Sequence, residues 1–318
     1  GAIAVGSAQA GGSFSIDATS FTGTTTITTV SASGAVTVAL SGKDQGAFSA
    51  GIIATTGAVN ITQAQAGSGA LTLTGVSGSG AVTINLGTGT GAGDVSISGL
   101  NSKGAFSLTA DQASDLTLTN ITASASITVN VGGSGSITAS SLDTGGALSI
   151  TKTLGSGEAA VMGAISGGSV SITISGASGH VSANTIDAGA FTFNATDSGE
   201  GSNAQNLGVL SASGAVSVSL GSTTDLLASS IVVASAGATI TKGTGSSDVT
   251  VNIGVTADGA ISIVGGGSGT ISVSTIGTAG GFSFNGENMS NTGGNAGEYF
   301  SANTITATSG NVTFTYGT

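Results

Sequence analysis

A strand-opening motif, glycine–alanine–apolar or a close variant, returns along this chain at a nearly fixed interval. That period constrains the fold more than any single residue does. The openings fall at Gly12, Gly34, Gly57, Gly80, Gly104, Ala125, Gly146, Gly168, Gly189, Gly214, Ala236, Gly259, Gly280 and Gly310. Every interval but the last is 21–25 residues. Self-similarity at a period of this size marks a solenoid, a propeller or an array of small units. Each period holds two strand patterns. The opening strand alternates strictly, as in Gly34-Ala35-Val36-Thr37-Val38-Ala39-Leu40, so one face is buried and the other is solvated. The closing strand reads apolar-x-apolar-x-x-apolar, as in Leu71-Thr72-Leu73 with Val76 and Ile271-Ser272-Val273 with Ile276.

A propeller blade needs about 40–50 residues and four strands, twice what one period supplies. A leucine-rich repeat would show its leucine ladder. A β-sandwich array is the other candidate, but two or three short strands per period are too few for it. The expectation is an all-β fold, a single-stranded parallel β-helix of about 13 coils of 21–25 residues, with equivalent positions stacked about 4.8 Å apart. The inward stack then runs Phe14, Val36, Val59, Val82, Phe106, Ile127, Leu148, Val170, Phe191, Val216, Ala238, Ile261, Phe282, Val312. Proline is absent, as suits a fold in which nearly every strand is central and needs its N–H for a ladder. No linker or composition break interrupts the pattern, which predicts one continuous domain over 1–318. Two periods are longer and predict loop insertions near 196–206 and 285–299. Gly1 in place of Met reads as a processed chain or part of a larger secreted protein.

Composition excludes whole classes of function. Four Lys, no Arg and a net charge of −11 do not suit phosphate-backbone binding. No Cys and a single His exclude disulfides, iron–sulfur clusters and zinc sites. No apolar run of 18 residues is present, so no membrane insertion by a helix is expected. His180 is the one candidate catalytic base. Nothing in the sequence marks a nucleophile or an orienting acid for it, and it reads as a turn residue. No arginine and four scattered lysines leave developing negative charge unsupported, so no enzyme is expected. The glycine-rich turns lack the Gly-Lys-Ser/Thr sequence and the following helix that a phosphate loop needs.

The carboxylates are the remaining candidates. Asp94 and Asp115 each lie ten residues before the next repeat opening, in adjacent coils. In register they would stand one rung apart, where two bare carboxylates repel and can share a cation. Asp197 with Glu200, and Glu287 with Glu298, are further weak calcium candidates in the expected loops. The competing reading is that these side chains point into water and are screened. Asp248 recurs at nearly the same place in the repeat, but six coils on, too far to join Asp94 and Asp115.

The repeats resemble the Gly/Ala/Ser/Thr-rich β-solenoid regions of bacterial surface-layer proteins and large secreted adhesins, including the type I-secreted group. The motif at 34–38 and 80–84 carries the likeness, with turn-strand units such as Gly91-Ala92-Gly93-Asp94-Val95 and Gly267-Ser268-Gly269-Thr270-Ile271. Many of those proteins bind calcium through a nonapeptide repeat. Here Asp94 directly follows the second glycine, so the motif is not met and calcium-driven folding does not carry over. The resemblance implies an acidic, Cys-free scaffold at a bacterial cell surface or outside the cell. Its expected function is self-assembly into a surface layer, sheath or filament, with further copies of itself as partner. The alternative is an adhesin or a carbohydrate- or ice-binding solenoid, with cell-surface glycans as partner. For ice, the outward rank of the closing strands (Ser96, Thr117, Thr138, Ser182, Ser272) is too mixed. For carbohydrate, Tyr299 and Tyr316 are the aromatic candidates for a platform.

Overall fold

The computed structural model describes residues 1–18, 21–40, 46–63, 69–87, 93–110, 115–133, 135–154, 159–176, 180–196, 204–222, 224–246, 248–289 and 300–316. Every regular element among them is a strand. None of the described residues forms a helix long and apolar enough to cross a membrane. The chain falls into two compact units. One is Gly1–Thr153 with Ala159–Met162, and the other is Leu154–Glu158 with Gly163–Thr318.

In the first unit opening strands stack on opening strands and closing strands on closing strands, all parallel and in register. Phe106 lies between Val82 below and Ile127 above, and Leu116 between Val95 and Ile137. The second unit repeats the scheme, with Phe191 between Val170 and Val216 and Ile276 between Val255 and Ile305. The described ladders amount to about 11 turns of parallel β-solenoid. The sequence count of about 13 took every repeat opening alike. It included the terminal repeats, which stack on one side only, and a repeat of which residues 155–158 lie outside the described residues.

The alternation in the sequence becomes the division between core and solvent. Val36, Val38 and Leu40 are buried, whereas Thr37 and Ala39 between them are not. Phe106, Phe191, Phe193, Phe282 and Phe284 point inward, each 1% exposed or less, as their parity requires. The closing strand changes face in mid-course, which is why its apolar spacing is 2 and then 3. Leu71, Leu73 and Val76 are all buried. At that change of direction Asn120 takes φ 54° and Gly99, one coil back, takes φ 64°.

The Gly-Ala of each repeat is the tight turn from a closing strand into an opening strand. Its last inward residue is a hydroxyl in several coils: Thr55, Ser102, Thr144 and Thr278 are all buried. Each folds the turn locally by accepting a backbone N–H two residues on. Gly57 donates to Thr55 Oγ1 at 3.0 Å, and Gly104 to Ser102 Oγ at 3.2 Å. The same hydroxyls donate to the coil below, Thr55 to the Gly34 carbonyl and Ser102 to the Gly80 carbonyl at 3.0 Å. Glycine is required because turn backbones lie directly on one another. A Cβ at Gly57 would sit 2.6 Å from the Gly34 carbonyl carbon. Ser102→Ala leaves the half-buried Gly104 N–H and Gly80 carbonyl without their partner. We expect it to lower stability by about 1–3 kcal/mol, read as a shift of the denaturant midpoint.

Candidate functional site

The register puts Asp94 and Asp115 one rung apart at the entry to successive closing strands, as the sequence predicts. Val95 pairs with Leu116, and the Val95 N–H donates to the Asp115 backbone carbonyl at 2.7 Å. The Asp115 side chain is engaged upward. Its Oδ1 accepts the Ser136 N–H of the next coil at 2.9 Å.

The second unit carries the same device, which sequence reasoning missed. Asp225 and Asp248 precede paired residues, Leu226 and Val249. Asp225 Oδ1 accepts the Asp248 N–H at 2.6 Å, and Asp248 Oδ1 accepts the Thr270 N–H at 2.6 Å and its hydroxyl at 2.9 Å. These corner aspartates extend the backbone ladder by one bond past the strand start. Asp248 therefore has an acidic neighbour, but it is Asp225. The signal was an aspartate just before apolar-x-apolar in consecutive repeats.

Glu287 lies on the strand Phe282–Met289, and its N–H donates to Asn285 Oδ1 at 2.9 Å. Of the expected loop 285–299, residues 285–289 continue that opening strand and 290–299 lie outside the described residues. Of 196–206, Thr196 ends a strand and Gln205–Asn206 forms a short one. Asp197, Glu200 and Glu298 lie outside the described residues. No three His, Cys, Asp or Glu side chains come together among the described residues. His180 begins the strand His180–Ala188, half-buried. Its side chain makes no hydrogen bond among the described residues.

Two of the described lysines are internal. Lys152 and Lys242 are 0% and 2% exposed. Each continues the inward parity of an opening strand, Lys152 after Ile150 and Lys242 after Ile240. Lys242 Nζ donates to the carbonyl oxygens of Gly245 at 3.0 Å, Gly243 at 3.5 Å and Gly266. Lys152 Nζ reaches the Gly133 carbonyl at 3.4 Å. These ammonium groups tie together the turn that leaves the opening strand. Burial pushes Lys242 below the ordinary lysine range, and Asp248 and Asp225 oppose that shift.

The outer faces divide the Ser, Thr and Asn residues into two kinds. On the closing strands some hydroxyls are spent within the chain, as when Thr74 donates to the Gly51 carbonyl at 2.9 Å and Ser98 to the Leu73 carbonyl at 3.4 Å. In the second unit the outward rank is mixed, with Ser182 against Asn206 and Asn206 against Leu227. The opening strands of the first unit differ. Their outer face holds one rank of Thr37, Asn60, Thr83, Ser107, Thr128 and Ser149. Beside it runs Ala39, Thr62, Asn85, Thr109, Asn130 and Thr151. None of these side chains makes a hydrogen bond among the described residues. Sequence reasoning examined the closing strands for such a face. The signal lay in the Thr of the repeat motif itself.

These features define a β-solenoid repeat protein with an apolar interior and an acidic, hydroxyl-rich exterior. Compared with protein-family models, curated proteins and solved structures, the chain matches none.

Proposed function

We propose that the chain is an extracellular structural scaffold of a bacterial cell surface, a unit that self-assembles into a layer, sheath or filament. One observation carries the reading. Within each unit the coil-to-coil ladder joins backbone, turn hydroxyls and corner carboxylates, and in the second unit its last described coil presents an open apolar edge. Val312, Phe314 and Tyr316 are 47%, 42% and 56% exposed, although Phe282 and Phe284, the equivalents of Val312 and Phe314 one coil back, are 1% exposed. Phe314 also packs edge-on against Phe282 and Phe300, at 5.6 and 5.8 Å between ring centres. A strand edge of this kind is a template for further strands, supplied by another copy or by more of the same polypeptide. Head-to-tail contact that does not close produces a filament. The reading is non-enzymatic.

Electron microscopy of the full chain at rising concentration tests this. Filaments or sheets are expected, and Phe314→Asp should suppress them, whereas monodisperse particles at every concentration would refute the scaffold reading. Calcium enters through the acidic surface. A cation shared between Asp94 and Asp115, or held near Asp197, Glu200, Glu287 and Glu298, would relieve repulsion between copies. Chelation should then loosen assemblies and leave the far-UV circular dichroism unchanged, because the core is apolar and corner aspartates such as Asp115 are held by backbone N–H groups. Unfolding on chelation would show instead that metal is part of the fold.

A further inference from the structure

We propose that the outer face of six successive opening strands in the first unit, from Val36–Leu40 to the one that ends at Lys152, binds ice; the strand Phe14–Ala18 below them continues the ranks with Ser15 and the charged Asp17 and is outside the grid. Three observations lead there. The first is regularity of spacing rather than of residue identity, which the closing strands lack because they change face in mid-course and shift register in the second unit. From Val36 to Lys152 the opening strands pair in register without a bulge. Equivalent side chains therefore repeat about every 4.8 Å across strands, and outward neighbours along a strand about every 6.6 Å. Six successive coils build a two-rank grid of hydroxyls and carboxamides, with Ala39 the one exception.

The second is chemical freedom. Hydroxyls at the tight turns are consumed by the fold, as with Thr55 and Ser102, but those on this face are not. Each Ser or Thr hydroxyl and each Asn carboxamide both donates and accepts, so each can hold ordered water on either side. The side chains are short and project from a continuous ladder, so little conformational freedom is lost when they engage a surface.

The third is charge. The chain carries −11 overall, yet no outward position of these strands from Thr37 to Thr151 is charged. Such a face offers nothing to an ion and does not repel a neutral solid. It has no walls to enclose a soluble sugar and no aromatic ring to stack on one. A grid periodic in two directions rewards a neutral ligand that is itself a lattice of donors and acceptors. Ice meets that description, with water both the ligand and the matched hydrogen-bonding group.

The test is partition of the full-length protein into slowly grown ice, with ice-recrystallisation inhibition read in parallel. The parent should enrich in the ice and keep crystals small. The pair Thr109→Tyr and Thr128→Tyr puts two bulky rings in the middle of the grid. It should reduce both readouts about tenfold or more, the change that about 1.4 kcal/mol of lost binding produces. Thr117→Tyr, outward on a closing strand, should leave them unchanged. Thermal melts show whether the variants keep the fold. If the tyrosine pair melts early, the milder Thr128→Val takes its place and should still weaken both readouts. Exclusion of the parent from ice would overturn the proposal. So would equal loss in the Thr117 variant, or retention on insoluble polysaccharide with no effect on ice. None of these readouts depends on whether filaments form.

Discussion

Phe193→Ala should cost the second unit about 3–5 kcal/mol, whereas Thr192→Ala beside it should change stability by less than about 0.5 kcal/mol. Phe193 is fully buried between Ile172 and Val218 in the coils on either side. Thr192 is exposed on the opposite face of the same strand. Removing the ring leaves a cavity that two rigid coils cannot close, because their spacing is set by the ladder rather than by the side chain. The loss should appear first as local unfolding around the affected coil, since each repeat touches only its neighbours. Hydrogen exchange by coil, alongside urea denaturation, reads both. Similar losses for Phe193→Ala and Thr192→Ala would contradict the assignment of inward and outward faces.

That pair also shows how much was legible in the sequence. Strict alternation within each opening strand assigned its apolar inward residues, and the repeat interval assigned the partner above and below. The stack from Phe14 to Leu148 in one unit and from Val170 to Val312 in the other follows from those two periods. Less legible was what the polar residues do. Aspartate before a strand reads equally as a solvated charge, a metal ligand or a ladder acceptor. Only the register shows that Asp115 and Asp248 face a backbone N–H one coil up. Asp225 escaped notice because the repeat before it is stretched to 25 residues, which blurs the alignment just where Asp225 and Asp248 pair. The opening-strand face was overlooked for a different reason. Its Thr, Ser and Asn identities vary from coil to coil, and only after the coils are stacked do they become one grid.

The lysines are the clearest conflict between pattern and chemistry. Parity places Lys152 and Lys242 inside, but an ammonium group is among the costliest groups to bury, so the sequence favours outside. The fold resolves this by supplying carbonyls. Turn glycines bring backbone oxygen to the Lys242 Nζ where any side chain would interfere, a Cβ at Gly243 lying 2.7 Å from the Gly221 carbonyl carbon. Lys242→Ala should therefore be costly, by about 2–5 kcal/mol, since it opens a cavity and removes the charged donor shared by the Gly243, Gly245 and Gly266 carbonyls. Lys242→Met keeps most of the stem and should cost less. The two also differ from the parent in pH dependence. Burial lowers the folded-state pKa of Lys242, against the pull of Asp248 and Asp225, from an ordinary value of 10.5. Between the lowered value and 10.5 the unfolded chain binds more protons than the folded one, so the parent's stability should rise as pH climbs through that window. Below the window the charged form carries its full burial penalty. Above it the penalty is gone and the contribution is flat. Removing the titrating group removes the rise, so the stability difference between parent and Lys242→Met should grow in the parent's favour towards alkaline pH. Urea midpoints for the two proteins from neutral pH to about 10.5 give that difference directly, and parallel curves would mean that the carbonyls and the two aspartates offset the whole cost of burying the ammonium.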